Sequence, residues 1–203
     1  MKKIFVVLVA LATFATYAFA EGGKNQKRQD GEMGQGDTQQ ERITNPDQVN
    51  LSVRQLSEQQ KEIIYSIYEE EKLARDVYRT LGNMYPEENT FANIQLSEQN
   101  HMDAVRNLCD KYDIDIIVSD NTSVFSIPKM QDFYYDTFVG NPTGSLLEAL
   151  EVGKTIEEMD INDLGLALQD MPKDVATVFN NLISGSLNHL DAFENAIERE
   201  TSQ

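Results

Sequence analysis

Residues 93–108 read NIQLSEQNHMDAVRNL, and the fold follows from how this stretch is read. Ile94, Glu98, His101, Val105 and Leu108 recur at alternating steps of four and three, the spacing of one face of an α-helix. Extended back to Phe91 and on to Tyr112, the stripe is apolar at both ends and carries a carboxylate and an imidazole in its middle. A core-facing helix keeps such groups only if something compensates them, because a buried, unpaired charge is strongly destabilising.

Three other segments share the pattern. Ser57 opens a capping box with Gln60, and Ile64, Ile67, Glu71, Ala74, Tyr78 and Leu81 follow on one face. A third helix is predicted from the cap-and-proline pair Asn141-Pro142, running through Leu146, Leu150, Gly153, Glu157, Asp160 or Ile161, and Leu164. A fourth begins near Asp170-Met171-Pro172 and runs through Val175, Phe179, Leu182, Ser186, His189, Phe193 and Ile197. Between the second and third lies DIDIIVSDNTSVFSIPKMQDFYYDTFVG, residues 113–140, which reads as an irregular or strand-like crossover with a brief helix at 131–139. The expected fold is all-α: an antiparallel four-helix bundle with this long crossover between helices 2 and 3.

Every stripe is polar at mid-length, and the only two histidines of the chain, His101 and His189, both fall there. Convergence on a metal ion accounts for both facts. Residues three apart share a helical face, so Glu98 and His101 can reach one ion or bridge two. Di-metal bundles place a lone Glu on one helix and Glu-x-x-His on the next, and then repeat the pair. Here Glu71 precedes Glu98 and His101, and Glu157 precedes Ser186 and His189, with Ser186 standing where the pattern calls for a Glu. Glu158 competes with Glu157, though spacing to Leu150, Gly153 and Leu164 favours Glu157. Other polar residues have bland readings: Glu69 and Glu70 a charged face, Arg75 and Asp76 a local ion pair, and Tyr68, Tyr78 and Tyr112 core residues with satisfied hydroxyls.

The segments EEEKLARDVY and FANIQLSEQNHMDAV resemble the ferritin-like superfamily, notably rubrerythrin-type helices with a Glu three residues before an Ala-Arg pair. EVGKTIEEMDINDL and ISGSLNHLDAF are similar to a bacterial and archaeal ferritin-like family catalogued as domain of unknown function 2202. The resemblance spans roughly residues 57–198. It implies metal ligands at Glu71, Glu98, His101, Glu157 and His189, with Asp160 resembling the extra carboxylate that rubrerythrins carry. It also implies a di-iron centre, with manganese as the alternative metal, and ferroxidase or peroxide-reducing chemistry on dioxygen or peroxide. A homodimer is compatible with it. Two rival expectations stand beside this one: a metal-free helical binding module in which Ser186 marks lost chemistry, and an iron-binding protein without turnover.

The remaining chain sets the context. Residues 1–20, MKKIFVVLVALATFATYAFA, have the lysines, apolar run and small-x-small ending of a cleaved secretory signal peptide, so export to the periplasm or cell exterior is expected, with no stable membrane anchor after cleavage. Residues 21–50 lack large apolar side chains and are expected to be a disordered leader, leaving 51–203 as the helical domain. The formal charge is −17, and loss of Lys2 and Lys3 makes it more negative, which excludes nucleic acid as the expected partner. The single cysteine, Cys109, permits neither an intrachain disulfide nor a rubredoxin-like cluster, so electrons for redox turnover would come from an external donor.

Overall fold

The computed structural model describes residues 55–140 and 143–202; the expected signal peptide, the leader and the Asn141-Pro142 pair lie outside them. Among the described residues every regular element is helical. These are α1 (Glu58–Met84), α2 (Asn89–Lys111), α3 (Pro128–Tyr135) continued by a π-helical turn (Asp136–Gly140), α4 (Leu146–Ala167) and α5 (Lys173–Thr201). No strand forms in the crossover. The brief helix expected at 131–139 starts earlier, at Pro128, whose fixed φ suits a first helical position.

The helix ends follow local chemistry. Ser57 and Gln60 cap each other reciprocally, as the sequence pattern requires. α1 stops before Pro86, which disfavours helical backbone at Tyr85. The Glu88 carboxylate then accepts the Thr90 N–H and opens α2 after a very short loop. α4 begins later than expected, at Leu146, with the Ser145 hydroxyl accepting the Glu148 N–H.

Two apolar clusters hold the long helices together. The first joins the start of α1 (Ile64, Ile67, Tyr68), the end of α2 (Val105, Leu108), the end of α4 (Leu164) and the start of α5 (Phe179, Leu182). The second joins the end of α1 (Val77, Leu81), the start of α2 (Phe91, Ile94), the start of α4 (Ala149, Leu150) and the end of α5 (Phe193, Ala196). These memberships give the helix senses: α1 and α5 run one way, α2 and α4 the other. The long helices α2 and α4, joined by the crossover that carries α3, are thus parallel, which is what the long connection permits. Each fully buried Phe or Leu contributes roughly 1.5–3 kcal/mol. At Gly153 the α4 backbone comes so close to Phe193 that a Cβ would stand 2.3 Å from its ring.

The crossover is tied down by the outer face of α1. Glu69, read from sequence as solvated, is fully buried and accepts the N–H groups of Ser126 (2.9 Å) and Ile127 (3.0 Å) together with the Ser126 hydroxyl. Lys72, also fully buried, donates to Asp76 (2.7 Å) and to the Asn121 carbonyl (2.9 Å), and lies 4.5 Å from the centre of the Phe125 ring. Asp76 does pair with Arg75, but it also accepts the Ser123 N–H. These side chains satisfy backbone groups that a strand would have paired through a ladder.

Candidate metal centre

Between the two apolar clusters lies a polar layer to which each long helix contributes. Glu71 enters from α1, Glu98 and His101 from α2, Glu157 and Asp160 from α4, Ser186 and His189 from α5; Glu71, Glu98, Glu157, Ser186 and His189 are buried. Helical repeat alone places them there, since each sits on the stripe that faces the core.

Glu98 is the centre of the arrangement. Its Oε2 lies 2.8 Å from Nδ1 of His101, and its Oε1 lies 2.7 Å from Nδ1 of His189. The two rings stack with centroids 5.3 Å apart. Each imidazole has a second carboxylate beside the same nitrogen: Glu71 at 3.2 Å from His101 and Glu157 at 3.4 Å from His189. The layer is therefore close to two-fold in its residues, with Glu71 matching Glu157 and His101 matching His189. Glu98 has no carboxylate counterpart on α5. Ser186 occupies that place and donates a short hydrogen bond to Asp160.

The structure brings five of the six sequence-derived ligand candidates into one linked set and holds the sixth, Asp160, through Ser186. Ligand atoms of Glu98, His101 and His189 all lie within 4.8 Å of one another, close enough to share an ion. Glu158 is excluded from the layer: it is exposed and faces Lys154 at 3.9 Å.

Three further residues shape the site without a signal in the sequence. Tyr78, fully buried, donates its hydroxyl to Oε1 of Glu157 at 2.6 Å. The Ser97 hydroxyl lies 2.8 Å from Nε2 of His189. Gly185 faces His101, and a Cβ there would stand 2.5 Å from Nε2. Among the bland readings, Cys109 is buried and its thiol is pushed up to about 11 by that burial, so it is an inert core residue.

The electrostatics are those of crowded acids short of positive charge. Burial opposes ionisation of Glu98, but the two imidazoles outweigh it and hold the carboxyl at about 2. Burial likewise opposes charge on the histidines, yet their carboxylate partners raise His101 to about 11 and His189 to about 9. Burial pushes Glu71 and Asp160 well above the usual carboxylate range, helped by neighbouring acids, and lifts Glu157 to about 7. In the absence of a cation the cluster holds protons.

The donor set fits a metal. Glu71 Oε1, Glu98 Oε1, Asp160 Oδ1 and His189 Nδ1 are all buried without a hydrogen-bond partner among the described residues. Glu98 Oε1 and His189 Nδ1 are at ion-pair distance and still form no directed hydrogen bond with each other. Orphaned buried polar atoms of this kind are costly unless a cation meets them.

A family model described as an uncharacterized protein domain, DUF2202, matches residues 60–203, a span that includes the whole polar layer. The uncharacterized protein MJ0754 of Methanocaldococcus jannaschii is 44% identical over 146 residues, covering 71% of this chain and 78% of its own. The crystal structure of hypothetical protein MJ0754 from Methanococcus jannaschii matches with a TM-score of 0.68 at 42% identity, over 72% of this chain and 83% of that one.

Proposed function

We propose that this chain, which belongs to the DUF2202 family, is a ferritin-like four-helix bundle whose polar layer binds two transition-metal ions, iron in preference to manganese. One arrangement supports this above all others: two imidazoles from different helices turn the same nitrogen to opposite oxygens of one buried carboxylate, Glu98. Mixed carboxylate and imidazole donors without thiolate suit iron and manganese.

Glu98 would be shared between the two halves, with Glu71 and His101 completing one and Glu157 and His189 the other. Tyr78 orients Glu157 by its hydrogen bond. Asp160 keeps one oxygen free while Ser186 holds the other. The apolar clusters on either side exclude bulk water, which strengthens electrostatic interactions in the layer. Bound iron would supply paired electrons to dioxygen or peroxide, a ferroxidase or peroxide-reducing chemistry. Export rests on residues 1–20 and belongs to the same proposal.

A metal-free binding module is the second reading, favoured by Ser186 in place of a carboxylate and by the His–Glu ion pairs, which neutralise part of the layer without a metal. Elemental analysis separates the two. Protein from iron-replete culture, purified without chelator or affinity metal, should carry metal, and His101→Ala should lose most of it with helix content intact. Unchanged metal content in the variant refutes the assignment of His101, and metal-free wild-type protein that takes up none on titration favours the module.

A further inference from the structure

The two imidazoles present the same nitrogen to the carboxylates, but their far nitrogens meet different surroundings. Nε2 of His189 is 2.8 Å from the Ser97 hydroxyl, the one hydrogen bond that ring makes among the described residues. Nε2 of His101 abuts the Gly185 backbone, and no hydrogen bond reaches it from another described residue. Ser97 immediately precedes Glu98, so one turn of α2 supplies both the carboxylate shared by the histidines and a hydroxyl that crosses to α5.

We propose that Ser97 is the positioning residue of the His189 half of the site, holding that ring through Nε2–H so that its Nδ1 faces the ion once the metal has displaced the Nδ1 proton. A neutral imidazole carries a single proton, and an acceptor at one nitrogen leaves the other to ligate. The Nδ1 atom of His189 makes no hydrogen bond of its own, in keeping with that role. His101 has no such orienting group and is fixed by Glu71, Glu98 and contact with Gly185. The two halves therefore depend differently on one hydroxyl. This inference rests on the metal reading above.

Cobalt(II) titration of the stripped protein tests it, read by visible ligand-field absorption and chelator competition. Ser97→Ala should weaken one of two binding steps by about 10–100-fold and leave the other in place. Ser97→Thr should restore the step, and in a His189→Ala background Ser97→Ala should add nothing further. Wild-type affinities in Ser97→Ala, equal weakening of both steps, or the same loss in the His189→Ala background each overturn the assignment. Wild-type protein that takes up no cobalt overturns the metal reading itself, an outcome distinct from the other three.

Discussion

Replacing Gly185 by alanine sets two known effects against each other where α5 faces the His101 ring of α2. The new methyl carbon would stand 2.5 Å from Nε2 and 2.7 Å from Cε1 of His101, about 1 Å inside ordinary contact between heavy atoms. The ring has little freedom to retreat, because Glu98 and Glu71 hold Nδ1 at 2.8 and 3.2 Å and His189 stacks on its face. Alanine is intrinsically better than glycine inside a helix by roughly 0.8–1 kcal/mol. Overpacking costs about 1–3 kcal/mol, and losing a hydrogen bond to a charged group costs roughly 1.5–3 kcal/mol more. The unfavourable terms win. Metal-free Gly185→Ala should therefore melt below wild type, by about 2–4 °C for each kcal/mol lost, and its metal affinity should fall at least tenfold as His101 is displaced. Thermal unfolding alongside cobalt titration provides the measurement. A higher melting temperature with unchanged metal uptake, the behaviour of an unconstrained helix glycine, would refute the placement of His101 against α5.

Other consequences can be checked by similar means. Glu71→Gln should raise the melting temperature of the metal-free protein, since burial already holds that carboxyl well above its usual range, while weakening metal binding; metal that leaves wild-type melting unmoved would argue against a buried site. The pH dependence has a definite sign: His101 and His189 rise from 6.5 to about 11 and about 9 on folding, and Glu157 from 4.5 to about 7. The histidines' contribution is complete below pH 6.5 and is lost as pH climbs through 9 and then 11; that of Glu157 is complete below 4.5 and lost through 7. Metal-free protein should accordingly lose stability from pH 6.5 to 9, whereas metal affinity should increase over that range as protons are displaced; a flat metal-free melting profile would contradict the shifts. Ser186→Glu should lower the metal-free melting temperature, because the new carboxyl meets Asp160, and should increase affinity for the second ion; destabilisation with no gain in metal would favour the binding module. Glu69→Ala should free the crossover from α1, seen as faster amide exchange at Ser126 and Ile127 with the polar layer intact.

Much of the site could be read from the sequence because helical periodicity is local. The stripes through Glu71, Glu98 and His189, the Ser57 capping box and the choice of Glu157 over Glu158 all follow from spacing within a single helix. What escaped depends on distant partners. Glu69 reads as surface charge until Ser126, 57 residues on, is folded against it, and the Ser97 contact with His189 spans 92 residues. Tyr78 belongs to an apolar stripe, and nothing local shows that its hydroxyl ends on Glu157. The β-branched run at 116–118 suggested a strand, but it pairs with no other strand, and its neighbours are satisfied by α1 side chains. The start of α4 lies at Leu146, beyond the Asn141-Pro142 pair, because Ser145 caps it.

An ordinary surface helix has a free side on which substitutions accumulate at little cost, and α1 lacks one over its central turns. From Ile67 to Tyr78 every residue but Glu70 is buried, because one face meets the polar layer and the opposite face receives the crossover. Saturation mutagenesis should therefore show a band of intolerance around the whole circumference of α1, where α2 and α5 would show the familiar stripe. Within that band Glu69, Lys72 and Asp76 would be as restricted as Glu71 although they lie outside the polar layer, so a map of tolerated substitutions would overstate the extent of the candidate site on this helix.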